Sequence, residues 1–149
     1  MYDIVTLEPE DRKVMTAVSA IINGQGAIPG PPGGHHRFFV PGDVKQEGDG
    51  GQAVRTLVIV GHGNANRLSR KETWEAYRED LPGDWGGNPD RVYIASCRTV
   101  ADGGRAFVFG NIASQIKAAY PNARVWASTT NVDAGAQFGN WEEIVRMAA

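Results

Sequence analysis

Apolar residues in this chain fall into two kinds of pattern, short continuous runs and stripes at helical spacing, and the two kinds alternate. Residues 3–7 form a β-branched run, and the acids and proline of Glu8-Pro9-Glu10-Asp11 then resemble the first turn of a helix. Val14, Val18, Ile21 and Ile22 share a helical face, which Asn23-Gly24-Gln25-Gly26 ends. Thr56–Val60 and Arg91–Ala95 are almost wholly apolar, the pattern of parallel strands covered on both faces. Residues 71–78 and 109–120 read as helices, Arg124–Ser128 as a strand and residues 141–147 as a terminal helix. The alternation predicts an α/β fold, a three-layer α/β/α sandwich around a mostly parallel central sheet.

Between residues 24 and 51 the character changes. Pro29-Gly30-Pro31-Pro32-Gly33-Gly34 and Gly48-Asp49-Gly50-Gly51 bracket only one brief apolar run, Phe38-Phe39-Val40. One short strand between two loops is expected there. The segment before it is too small to hold its own core, so residues 1–149 are expected to form a single domain.

Composition narrows the partners. Fifteen Lys and Arg against 17 Asp and Glu give a formal net charge of −2, with no broad basic surface for nucleic acid or anionic membrane. One cysteine cannot form an internal disulfide, which suits a reducing, cytoplasmic setting. No apolar run approaches the roughly 20 residues that span a bilayer, and the first residues lack a signal-peptide pattern.

Two strands end on reactive side chains. Leu57-Val58-Ile59-Val60 runs into Gly61-His62-Gly63, and Val92-Tyr93-Ile94-Ala95 runs into Ser96-Cys97, the only cysteine. Parallel sheets carry their functional groups at the carboxyl ends of strands. If these strands are neighbours, their tips lie about 5 Å apart. An imidazole beside a thiol is a nucleophile and base, because an ordinary thiol is only slightly ionised at neutral pH.

These two boxes, thirty-odd residues apart, resemble those of the caspase-like cysteine peptidases, and most closely the self-processing cysteine peptidase domains of large bacterial toxins. The likeness takes in the first strand and helix, the Val-Gly-His-Gly box, the Cys box and the amphipathic helix after it, roughly residues 2–132. It implies an endopeptidase with His62 as catalytic histidine and Cys97 as nucleophile. It further implies an oxyanion hole made by the amides of Gly63 and Cys97. Substrate would lie along the segment after the last parallel strand, where Thr129, Thr130 and Asp133 stand. Asp133 there favours a basic side chain, while burial of Thr129 and Val132 favours an apolar one. No third triad member is identifiable. The resemblance also implies a bacterial toxin or effector, delivered to a target cell or cut from its own parent polypeptide. After Val132 the only cation is Arg146, so the basic flap that binds inositol hexakisphosphate in the toxin domains has no counterpart, and activation by that ligand is not expected. No cofactor and no metal is expected.

Blander readings stand beside these. A lone cysteine is commonly a small buried hydrophobe, and a lone histidine a hydrogen-bonded loop residue. A catalytically inactive caspase-fold module that binds a protein or peptide is therefore the alternative. His35 and His36 could join His62 at a metal, but neighbours in a Pro/Gly loop point different ways, and a solvated loop fits them better. Gly24, Gly26 and Asp102-Gly103-Gly104 read as turns rather than an anion cradle. Arg98 and Arg105 serve either substrate binding or solubility.

Overall fold

The computed structural model of the protein describes residues 2–22, 36–41, 56–64, 67–80, 89–96, 112–128 and 141–145. Their elements are β1 (Tyr2–Val5), α1 (Arg12–Ile22), β2 (His36–Phe39), β3 (Thr56–Val60), β4 (Gly63–Asn64), β5 (Arg67–Leu68), α2 (Trp74–Glu79), β6 (Arg91–Ala95), α3 (Ile112–Ala119), β7 (Arg124–Ser128) and β8 (Trp141–Ile144). Six strands form one sheet in the order β2-β1-β3-β6-β7-β8; β4 and β5 pair separately. The first five strands of that order run parallel, and β8 lies antiparallel to β7. The fold is α/β with a mostly parallel mixed sheet.

Residues alternate between sheet faces because strand side chains have a period of two. Ile4, Val58, Val60, Tyr93 and Ala95 pack with Val14, Ala17, Val18 and Ile21 of α1. Leu57, Ile59, Val92, Ile94, Val125 and Ala127 face the other way, onto Trp74 and Tyr77 of α2 and Ile112, Ala113 and Ile116 of α3. All but the first residue of β3 and of β6 is buried, which explains their unbroken apolar sequences. None of the described helices is long and apolar enough to cross a membrane.

The predicted terminal helix over 141–147 is a correction. Trp141–Ile144 is the edge strand β8, and residues 146–149 lie outside the described set. A spacing of three between Trp141 and Ile144 fits a helix stripe, but it also puts the two on opposite faces of a strand. Ile144 enters the α2/α3 core, while Trp141 meets Tyr93 edge-on at 6.1 Å on the other side. Glu143, opposite Trp126, is fastened to Arg124 by bonds of 3.0 and 3.1 Å.

Other elements shift by a few residues. The helix expected over 71–78 starts at Trp74, after Thr73, whose hydroxyl accepts the Ala76 N–H at 3.0 Å as an N-cap. Trp74 N–H also donates to Gln115 Oε1 at 2.9 Å, joining α2 to α3. Thr73→Ala is expected to lower stability by about 1 kcal/mol, read as a lower midpoint in urea at an unchanged slope. His36, placed in a solvated loop by its sequence, is the first residue of β2. His35 and the glycine turns at 24–26 and 102–104 lie outside the described residues.

Candidate functional site

β3 and β6 are adjacent and parallel, with Thr56 opposite Arg91 and Val60 opposite Ala95. The pairing continues one step further, as Gly61 N–H donates to the Ala95 carbonyl at 3.3 Å. The sequence offset that sets this register is also the offset between His62 and Cys97. Gly61 therefore falls opposite Ser96 at the carboxyl end of the sheet, and His62 is the next residue along. Cys97 follows Ser96 but lies outside the described residues, as do Thr129, Thr130, Asp133, Arg98 and Arg105.

His62 is half exposed and held at three points. Its Nε2 lies 2.9 Å from Asp11 Oδ2, its backbone N–H donates to Glu8 Oε1 at 2.8 Å, and its carbonyl accepts the Ser69 N–H at 2.7 Å. Asp11 is fixed in turn by the Val14 N–H, which donates to Oδ1 at 3.0 Å. That bond makes Asp11 the cap of α1, so the acids expected in the first helical turn in fact precede it. The Val14 N–H, and after it the His62 hydrogen bond, hold the Asp11 carboxyl below the usual carboxylate range. An ionised carboxylate can only accept, so Nε2 carries a proton, and in the neutral ring the lone pair is then on Nδ1. Among the described residues Nδ1 has no hydrogen-bond partner.

Asp11 and Glu8 are the residues that sequence reasoning missed. They are far from His62 in the chain, and only the adjacency of β1 to β3 brings the exit loops of the two strands together. The available signal was the cluster of acids directly after the first strand.

Gly63 lies beside Ser96. A Cβ on Gly63 would fall 2.5 Å from Ser96 Oγ and 2.5 Å from the Arg67 carbonyl oxygen, so this approach requires glycine. Antiparallel pairs alternate between bonded and non-bonded types. Because His62 and Ser69 share a bond, the next pair, Gly63 and Leu68, is of the non-bonded type, and Leu68 N–H goes instead to Lys71. The Gly63 amide is thus directed away from β5. Ser96 Oγ is fully buried, with no hydrogen-bond partner among the described residues.

A cleft of about 690 Å³ opens against this cluster, lined by Glu8, Glu10, Asp11, Pro41, Ser69 and Arg70 among others. One donor atom each from Glu8, Asp11 and His62 lies within 4.8 Å of the others, a set with the chemistry to hold a metal ion. Asp11 Oδ2 and Glu8 Oε1 are already engaged by His62 and Ser69. Comparison with known protein families, with curated proteins and with solved structures returns no match to this chain.

Proposed function

We propose that the chain is a caspase-like cysteine endopeptidase that cleaves peptide bonds with His62 and Cys97. One observation carries the reading: an imidazole whose Nδ1 has no hydrogen-bond partner among the described residues stands at the tip of β3, in the register that leads the neighbouring β6 to Cys97. Asp11 adds the third member that the sequence left unnamed. Its carboxylate keeps the proton on Nε2 and leaves Nδ1 to act as base.

The reaction follows from these parts. Nδ1 takes the thiol proton, and the thiolate of Cys97 attacks the peptide carbonyl carbon, forming a C–S bond while the C=O electron pair moves onto oxygen. The Gly63 N–H, with the amide of Cys97, stabilises that oxyanion by a few kcal/mol. Collapse breaks the C–N bond, and the amine leaves with the proton from Nδ1. Water then adds to the thioester, and the acid product departs as the thiol is restored.

Mass spectrometry tests this reading. The full chain is incubated with itself, with a cell lysate and with a peptide library, alongside Cys97→Ala. New termini with the wild type alone are expected, and their sequences would decide between a basic and an apolar preference and between cutting in cis and in trans. No termini, combined with iodoacetamide labelling of Cys97 no faster at mildly acidic pH than for a free thiol, would leave the inactive binding module as the better account.

A further inference from the structure

The reaction above uses His62, Cys97, Asp11 and Gly63 and leaves one carboxylate of the cluster unexplained. Glu8 Oε1 accepts two hydrogen bonds, from the His62 backbone N–H at 2.8 Å and from the Ser69 hydroxyl at 2.7 Å. Ser69 in turn donates its own N–H to the His62 carbonyl. The peptide groups on both sides of His62 are therefore tied to one carboxylate and one serine.

The surroundings are shaped to this arrangement. Ser69 and Arg70 have φ of 48° and 67°, two successive non-glycine residues in the left-handed region, within a turn closed by bonds between Leu68 and Lys71. Such a turn costs conformational energy. It brings both donors of Ser69 to the His62–Glu8 pair. A Cβ on Gly61 would overlap the Ser69 hydroxyl and sit 3.0 Å from Glu8 Oε1, so the carboxylate reaches His62 past a bare backbone. The loop carrying Glu8 is braced as well, with Glu8 N–H on Thr6 Oγ1 at 3.0 Å and Asp11 N–H on the Glu8 carbonyl at 3.1 Å.

We infer that Glu8 is a positioning residue, which fixes the backbone of His62 so that Nδ1 is aimed at the reacting centre. A single bond from Asp11 to Nε2 leaves the ring free to swing about that contact. Anchoring the peptide groups at both ends removes the swing, and a charged acceptor makes both bonds stronger than a neutral one would. Holding a base within reach of its proton is where such geometry acts on rate. The inference rests on the peptidase reading.

The test compares wild type, Glu8→Ala and Glu8→Gln in the full chain, on a peptide that the wild type cuts. Glu8→Ala is expected to lower kcat about 10²-fold at nearly unchanged KM. Glu8→Gln keeps an oxygen acceptor and should recover to within about tenfold of wild type. In parallel, carbon relaxation of the His62 ring should report one rigid orientation for wild type and Glu8→Gln and a mobile ring for Glu8→Ala, with Asp11 keeping the proton on Nε2 in all three. Wild-type kcat in Glu8→Ala, or a ring as rigid there as in the wild type, would overturn the inference. If Glu8→Ala does not fold, Ser69→Ala takes its place, with a smaller fall in kcat expected and wild-type kcat overturning the inference. A wild type that cuts nothing, with the Glu8-dependent ring rigidity intact, would sink the peptidase reading and leave the positioning of His62 standing.

Discussion

Replacing His62 with alanine is expected to lower kcat/KM for peptide cleavage by roughly 10³-fold, within the range general acid–base catalysis supplies. The variant should fold normally, because the ring is half exposed. Loss of the imidazole removes both the acceptor of the thiol proton and the donor to the leaving amine. Alkylation of Cys97 at mildly acidic pH should slow in the same variant, since the thiolate fraction loses its partner. Asp11→Asn separates orientation from proton transfer. Asparagine still caps α1, so the helix start is kept and only the contribution of the charge is lost. Its amide, however, can donate to Nε2 and bias the ring toward the wrong tautomer, and a loss of about 10²–10⁴-fold is expected. The pH dependence of Asp11 has a definite sign. Its folded pKa lies below the ordinary value, so its contribution to stability is present above the unfolded pKa and is lost as pH falls through the folded one. Asp11 is therefore ionised throughout the neutral range, and its ionisation cannot shape a rate profile there. Cleavage by His62→Ala within tenfold of wild type would remove His62 from the mechanism.

The central strands were legible because burial on both faces leaves a sequence with no polar interruption: Leu57 to Val60 and Val92 to Ala95 admit hardly any other reading. His62 was legible because it follows such a run between two glycines. Asp11 and Glu8 were not, since their partner is 51 and 54 residues away and is reached only through strand order. Local pattern cannot rank strands within a sheet, and β1 beside β3 is what joins these loops. The same gap misread β8, whose Trp141 and Ile144 satisfy a helix stripe as well as opposite faces of a strand. Its pairing with β7 is a tertiary fact. Nor does anything in the composition of Ser69-Arg70 announce a turn with two positive φ values, because neither residue prefers that region.

Gly63→Ala should damage both the fold around the site and the chemistry. The new methyl would meet two atoms at 2.5 Å, and they differ in how far they can yield. Ser96 Oγ sits on a rotatable bond, though the residue is fully buried and has little room. The Arg67 carbonyl is backbone, in a strand whose pairing with β4 places Gly63 opposite Leu68, and it can retreat only by opening that pair. Overpacking of this kind costs about 1–3 kcal/mol, visible as a lower urea midpoint. Opening the β4–β5 pair would also carry the Gly63 amide away from the oxyanion, and loss of one such donor lowers kcat about 10²–10³-fold. Ser96→Ala separates the two clashes. Alone it removes a buried hydroxyl with no partner among the described residues, so it should leave stability unchanged or raised. Combined with Gly63→Ala it should restore little, because the carbonyl clash remains. Full recovery of kcat and stability in the double variant would mean that Ser96, not the β4–β5 backbone, sets the limit on Gly63. Wild-type kcat in Gly63→Ala itself would take the Gly63 amide out of the oxyanion hole.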